Sequence, residues 1–370
     1  MILQKVLLGD VCKIGRGSSP RPIKDERYFI DGNIPWVKIA DATASGKYIY
    51  NTKEYVNEYG ASFSRLLNSG SLIFPASGTL GIPRFLGVDA CIHDGWLYFE
   101  SFNGIDPEYL YYVLITLKDY YINIAYGAAI QNINTDILRN TSITLPNLNQ
   151  QQKIANYLCN YDDLIENNRK RIALLEESAR LLYQEWFVKF RFPNAKIGKD
   201  GLPIGWSVCK LGDLITLNYG KSLKDSERED GDIPVFGSSG IVGTHNKFLI
   251  KGPSIIIGRK GNVGSVYYVS KDCFAIDTVY FIKSEEATFY NFFLLKSQNF
   301  VSSDTAVPGL NRNYAYSVPV LKPTQSILKL FENFVTPIFK QIQVLSISID
   351  QLQKGRNELL PKLISGQIKV

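Results

Sequence analysis

The sequence is poor in the side chains that most catalytic sites need. It holds two histidines, one methionine and five cysteines in 370 residues. His93 and His245 leave little material for acid–base or triad chemistry. Cys12, Cys91, Cys159, Cys209 and Cys273 form no Cys-x-x-Cys pair and no regular framework. Buried free thiols in a reducing compartment are therefore expected, and a metal site would have to be assembled from scattered residues. The absence of Pro-Pro excludes an Asn-Pro-Pro-Tyr methyltransferase motif, and the absence of Glu-x-Lys removes the common Asp…Glu-x-Lys nuclease set. Gly258-Arg259-Lys260-Gly261-Asn262-Val263-Gly264 is glycine-rich but fits neither GxxxxGK[ST] nor GxGxxG. The carboxylate pair Asp162-Asp163 lies beside a heptad pattern, where a solvated helix face is expected. Nothing here reads as an enzyme.

Long hydrophobic runs are missing as well. The longest, around Leu110 to Leu117, is too short to cross a bilayer. Met1 to Leu8 carries Gln4 and Lys5 and does not resemble a signal peptide. A cytoplasmic protein without a membrane partner is expected. The formal charge of +6 is unevenly spread. Residues 1–148 carry thirteen basic against fourteen acidic side chains, and 149–190 carry six of each. Residues 191–323 carry sixteen against twelve, and 324–370 six against three. Bulk charge alone does not mark a nucleic-acid binder, so any such reading must rest on local patches.

What is present is a duplication. Leu8-Gly9-Asp10 returns as Leu211-Gly212-Asp213, and Gly17 returns as Gly220, both 203 residues later. Ser71-Leu72-Ile73-Phe74 returns as Ser254-Ile255-Ile256-Ile257 at an offset of 183, in frame with Gly78/Gly261, Gly81/Gly264, Asp89/Asp272 and Asp94/Asp277. Each module reads as α+β, with short β-rich runs between Gly, Pro and Asn turns. Asp106-Pro107-Glu108 has the signature of a helix start, and an equivalent helix is expected around Phe289 to Ser297.

A long heptad segment follows each module. Ile154, Leu158, Tyr161, Ile165, Asn168, Ile172, Leu175, Ala179, Leu182 and Trp186 alternate at spacings of 4 and 3. Leu328, Phe331, Val335, Ile338, Ile342, Leu345, Ile349, Leu352, Arg356, Leu359 and Leu363 do the same. Two such seams can pair antiparallel, and Asn168 and Arg356 interrupt them in a way that suits register control. At 1.5 Å per residue they span about 48 and about 53 Å. Pro337 should kink the second helix or mark a local break. The organisation is therefore residues 1–148, a central helix over 149–192, residues 193–323, and a C-terminal helix over 324–370.

Polar loops supply the binding chemistry. Pro75-Ala76-Ser77-Gly78-Thr79-Leu80-Gly81 corresponds to the Gly258–Gly264 segment, so Arg259 and Lys260 stand where Ala76 and Ser77 stand. Glycine allows close backbone approach, while Arg, Lys, Ser, Thr and Asn donate to phosphates or base edges. Lys13, Arg16, Arg21, Lys24 and Arg27 outnumber Asp25 and Glu26 around Gly17-Ser18-Ser19. Their counterpart Lys221-Ser222-Leu223-Lys224 is diluted by following acids. Gln131-Asn132-Ile133-Asn134 aligns with Gly309-Leu310-Asn311-Arg312-Asn313 at an offset of 177. Asn and Gln can read adenine and Arg guanine, although the asparagines could equally cap the next turn. The candidate DNA contacts are thus Arg16, Ser18, Ser19, Arg21, Ser77, Thr79, Gln131, Asn132 and Asn134 in the first module. In the second they are Lys221, Ser222, Arg259, Lys260, Asn262, Asn311 and Arg312.

This organisation resembles the specificity subunit of type I restriction–modification systems. The resemblance is carried by Leu145-Pro146-Asn147-Leu148-Asn149-Gln150-Gln151-Gln152-Lys153-Ile154-Ala155 and the helix it opens. Leu360-Pro361-Lys362-Leu363-Ile364-Ser365-Gly366-Gln367-Ile368, Leu8-Gly9-Asp10, and Gly201-Leu202-Pro203-Ile204-Gly205-Trp206 ahead of Leu211-Gly212-Asp213 add to it. Pro323-Thr324-Gln325-Ser326-Ile327-Leu328 is a poorer version of the first helix entrance. The resemblance implies two target-recognition domains, each reading half of a bipartite, asymmetric double-stranded DNA site. It also implies an antiparallel coiled coil acting as a spacer, with pseudo-two-fold organisation. Partners would be two modification (methyltransferase) subunits and restriction subunits. S-adenosylmethionine, Mg and ATP belong to those partners, and this chain would hold no cofactor and no catalytic residue. Alternatives are a related system with a fused methyltransferase–nuclease partner, or a coiled-coil scaffold bearing two protein-binding modules.

Overall fold

A computed structural model describes residues 3–78, 81–127, 132–300 and 309–369. The chain divides into two compact units, residues 1–170 with 346–370, and residues 171–345. The boundaries fall inside the two long helices, Leu148–Tyr183 and Gln325–Ile364, so each unit owns part of both. No helix among the described residues is long and apolar enough to cross a membrane.

In the first unit, Gln4–Leu7 pairs antiparallel with Ser142–Leu145, tying the two ends of the domain together. The central sheet orders Lys13–Arg16, Trp96–Glu100, Leu72–Pro75, Arg84–Leu86 and Tyr48–Ile49. A second sheet orders Glu54–Val56, Ile34–Val37, Ala90–Ile92 and Arg65–Leu67. Leu72–Pro75 is buried along its whole length, as expected for a strand covered on both faces. Asp106 accepts from the Tyr109 amide and Pro107 occupies the first turn, starting the helix Pro107–Thr116 as the sequence signals predict. Tyr109, Leu110 and Tyr112 of that helix share one core with Phe74, Leu97, Ile154, Leu158, Leu360 and Leu363. The apolar faces of both long helices are thus part of the domain's own core.

The second unit repeats the plan. Ser207–Lys210 pairs with Pro319–Lys322. The sheet orders Asn218–Tyr219, Val279–Ile282, Ser254–Gly258 and Val266–Val269, matching the first four strands of the first unit's central sheet in order. The helix Phe289–Ser297 is capped by Thr288 and packs inward. Beyond Tyr183 the central helix widens into one π-type turn, Gln184–Val188, where the Lys189 amide reaches the Gln184 carbonyl. This helical stretch stops short of 192. The turn carries Trp186 and Phe187 into contact with Trp206, Tyr290 and Phe331. Of the kink or local break expected at Pro337, the break is absent: the C-terminal helix runs on through it, and the proline is exposed.

Within the first unit the helix pair is antiparallel: Asn168 donates to Ser348 at 3.2 Å, and Arg356 forms an ion pair with Asp162. Asp162 was expected on a solvated face, yet its side chain is only 7% exposed. Its second oxygen accepts the Tyr112 hydroxyl at 2.6 Å, so tertiary partners rather than water satisfy it. Asp163, its neighbour, is exposed. Nearby, Lys47 is buried against Glu108 at 2.5 Å and hydrogen-bonded to Cys159. Burial opposes its charge, but Glu108 and Cys159 together outweigh that and raise its pKa. Of the other seam positions, Ile154, Leu158, Ile165 and Leu345 are buried, while Ile172, Leu175, Ile342, Ile349 and Leu352 are half-buried.

Candidate nucleic-acid interface

The duplicated glycines hold the loops in place. Gly78, Gly81, Gly261 and Gly264 all have φ between 71 and 76°, where a side chain is strained. A Cβ on Gly17 would strike the carbonyl oxygens of His93 and Ile92, and one on Gly220 those of Ile276 and Ala275. Those partners are themselves equivalent at the offset of 183. The Ile133 amide donates to the Ala76 carbonyl at 2.7 Å, and Leu310 donates to Arg259 at 2.8 Å. Both loops are thus stitched to the sheet at the same points.

In the second unit this framework brings distant segments to one open cleft of about 520 Å³. Tyr219, Arg259, Lys260, Tyr280, Asn311 and Arg312 are among its walls. The Arg259 guanidinium lies 5.3 Å from the Tyr219 ring centre and 5.8 Å from that of Tyr280. Arg312 lies over the same Tyr219 ring at 5.0 Å. Arg259 also donates through Nη2 to the Asp277 carbonyl at 2.9 Å. Burial pushes the Tyr280 hydroxyl up to about 12, with Tyr219 adding to the rise, so it stays neutral and donates to the Leu310 carbonyl. Three cations and two aromatic faces in one recess suit an acceptor-rich, planar or anionic partner.

Other second-unit candidates lie outside that recess. Lys221, Ser222 and Asn262 are exposed but do not line it. Asn311 does line it, yet its side-chain Oδ1 caps the helix Arg312–Ser317 by accepting from the Asn313 and Tyr314 amides. Asn134 does the same for Thr135–Arg139 through the Ile137 amide. Bidentate reading of adenine needs the amide's oxygen and nitrogen together, so that expectation does not hold for either residue while it caps. Capping is the role their geometry supplies.

The first unit fills the corresponding positions differently. Arg16 occupies the place of Tyr219, and its Nε donates to the Asp94 carbonyl at 2.8 Å, the equivalent of the Asp277 carbonyl. The basic patch expected around residues 13–27 is largely committed internally. Arg21 pairs with Asp94 at 2.5 Å, the Ser19 hydroxyl accepts from the Asp94 amide, and Arg27 grips Asp25. Ser18 and Asn132 are exposed and Ser77 is half-buried on the loop, while Thr79 and Gln131 lie outside the described residues. Ala76, Ser77, Leu97 and Thr135 stand where Arg259, Lys260, Tyr280 and Arg312 stand.

The chain matches the sequence model of the type I restriction modification DNA specificity domain over residues 3–177 and again over 203–344. It belongs to that family. Over 98% of its length it is 26% identical to the type I restriction enzyme MjaIX specificity subunit of Methanocaldococcus jannaschii, 92% of which is covered. It is 22% identical over 91% of its length to the HindI specificity subunit of Haemophilus influenzae, 94% of which is covered. A solved type I S subunit from M. genitalium shares the fold, with a TM-score of 0.61 and 17% identity over 98% of this chain and 96% of that one. The chain is a non-catalytic DNA-specificity subunit, and type I specificity subunits act with methyltransferase and restriction subunits.

Two features of this specificity subunit escape a reading by motif. Tyr219 and Tyr280, the aromatic floor of the cleft, lie 61 residues apart and meet only because their strands pair directly. The backbone carbonyls of Asp94 and Asp277 collect an arginine in each unit, from a strand end in the first and from the loop after Ser254–Gly258 in the second. Only the recurrence of Asp94 as Asp277 in the repeat hinted at this.

Proposed function

We propose that the two units read the two unequal halves of a split double-stranded DNA target, while the long helices hold two methyltransferase copies and admit restriction subunits. What supports this most is the contrast between frame and filling. The turn glycines, the loop-to-sheet hydrogen bonds and the asparagine caps recur in both units. The side chains in the recess do not. Two folds alike in frame but unlike at one surface have the property that two independent readers need. Free thiols at all five cysteines suit action in the cytoplasm. Sequencing methylated bases in cells that express the chain with its methyltransferase partner should yield a split motif with two different halves. A continuous motif, or a palindromic one, would refute the reading.

A further inference from the structure

We propose that Arg312 reads a guanine in the half-site of the second unit, and that Arg259 and Tyr219 position it. This rests on the reading that the recess faces DNA, and it adds the base and the residue.

The two arginines differ in freedom. Arg259 is fixed: its amide donates to the Thr278 carbonyl, its own carbonyl accepts from Leu310, and its Nη2 donates to Asp277. Its Nε is buried with no hydrogen-bond partner among the described residues. Arg312 is held differently. It is the first residue of a short helix whose start is set by the Asn311 side chain, and its guanidinium rests on the outer aromatic, Tyr219. Tyr219 is 49% exposed, so the Arg312 fork lies at the mouth of the recess.

Charge and shape then narrow the partner. Two guanidiniums share one tyrosine ring, Lys260 stands beside them, and no carboxylate is among the described residues lining the recess. Such a site favours groups that only accept hydrogen bonds. Guanine offers two adjacent acceptors, N7 and O6, in the major groove, and they match the two parallel N–H groups of an arginine. The Tyr219 ring under the guanidinium restrains where the fork sits, as a bidentate contact to a base edge needs. The repeat argues the same way. Thr135, Ala76 and Arg16 replace Arg312, Arg259 and Tyr219 in the first unit, so the stacked pair is private to one half-site.

The test compares methylation motifs from cells expressing the partner methyltransferase with wild-type chain, Arg312→Ala or Arg312→Lys. The expected wild-type motif has a G·C pair in one half that both variants relax, with the other half unchanged. In vitro, binding of the reconstituted complex to duplexes substituted at that pair should lose about 5- to 150-fold of discrimination, the worth of one bidentate contact. Uniform loss over all duplexes, with rescue by Arg312→Lys, would mark a phosphate contact and overturn the proposal. So would relaxation in both halves, or in none. If the wild-type complex produced no split motif, the parent reading would fail first. Unfolding of Arg312→Ala would leave the decision to Arg312→Lys, which keeps the stem and the charge but not the fork.

Discussion

Asp162 holds the guanidinium of Arg356 on one carboxylate oxygen and the hydroxyl of Tyr112 on the other. One residue thereby ties the central helix to the C-terminal helix and to the domain helix Pro107–Thr116. At the corresponding places of the second unit stand Phe339 and Ala179, 177 residues removed from Asp162 and Arg356. There Phe339 packs on Tyr268, Phe289 and Phe292. The position is ionic in one unit and aromatic in the other.

Breaking the ionic join should be expensive. Arg356→Ala leaves Asp162 buried without its counter-charge, and a loss of about 3–5 kcal/mol is expected from such a deletion. Asp162→Ala should cost a comparable amount. Replacing the whole set with apolar groups, Asp162→Phe with Arg356→Ala and Tyr112→Phe, should recover most of it, because no polar atom is then stranded. Denaturant titration of the four proteins checks this. A triple variant no better than Arg356→Ala would show that the carboxylate has a role beyond satisfying its neighbours.

The glycines at the strand exits make a second prediction. Gly17→Ala and Gly220→Ala would each force a methyl group onto backbone carbonyls already engaged in hydrogen bonds. Overpacking of this kind costs about 1–3 kcal/mol. Gly70→Ala is a useful contrast, because its Cβ would meet nothing and only its φ of 85° opposes the change. Urea midpoints should fall in both exit variants. An unchanged midpoint in either would mean the exit can open without cost.

How much of this was legible in the sequence depends on the range of the interaction. The repeat frame was visible because glycine and asparagine are chosen by local backbone demands, so Gly78, Gly261 and the helix start at Asp106 could be read from their neighbours. The heptad seam was visible for the same reason. Asp162 was misread because its partners lie 50 and 194 residues away, and no local rule distinguishes it from exposed Asp163. As a helix break Pro337 was overvalued: the helix continues through it, packed on either side by Val335 and Phe339. The recess was half legible. Its arginines stood out by comparison of the repeats, but its tyrosines needed the strand order.

The asparagine caps separate folding from recognition. Asn311→Ala should cost about 1 kcal/mol through the lost cap. Asn311→Asp keeps the capping oxygen and should melt near the wild-type temperature, yet it places a negative charge among Arg259, Lys260 and Arg312. DNA affinity of the assembled complex should therefore fall in the aspartate variant without loss of stability. Equal affinity would show that the recess is not on the DNA side.

Stability should also fall with mild acid. His93 has its pKa lowered chiefly by burial, with Lys38 and Arg21 adding to the fall and Asp94 opposing it. Its Nδ1 accepts from the Gly95 amide at 2.9 Å, a bond that protonation there removes. A folded pKa below the unfolded value near 6.5 means the unfolded chain binds more protons in the interval between them. The stabilising contribution is thus complete above about pH 6.5 and is lost as the pH falls through that interval. His93→Gln should flatten the fall in melting temperature between about pH 7 and 5.5. An identical slope in the variant would place the acid sensitivity elsewhere.

The long helices support the last prediction. Each begins in one unit and ends in the other, so a change in their length acts on both units at once. A heptad preserves the face that a helix presents to its partner, so inserting seven residues after Lys170 and seven more before Ser346 should keep both seams in register. Each insertion adds about 10 Å of helix, which corresponds to roughly three base pairs of DNA rise. Methylation mapping should then show the same two half-sites separated by about three more unspecified pairs. Inserting four residues instead would make a stutter that locally unwinds the seams, adding about 6 Å of helix and widening the gap by no more than roughly two base pairs. Unchanged spacing in a folded, active heptad variant would show that something other than helix length sets the distance between half-sites.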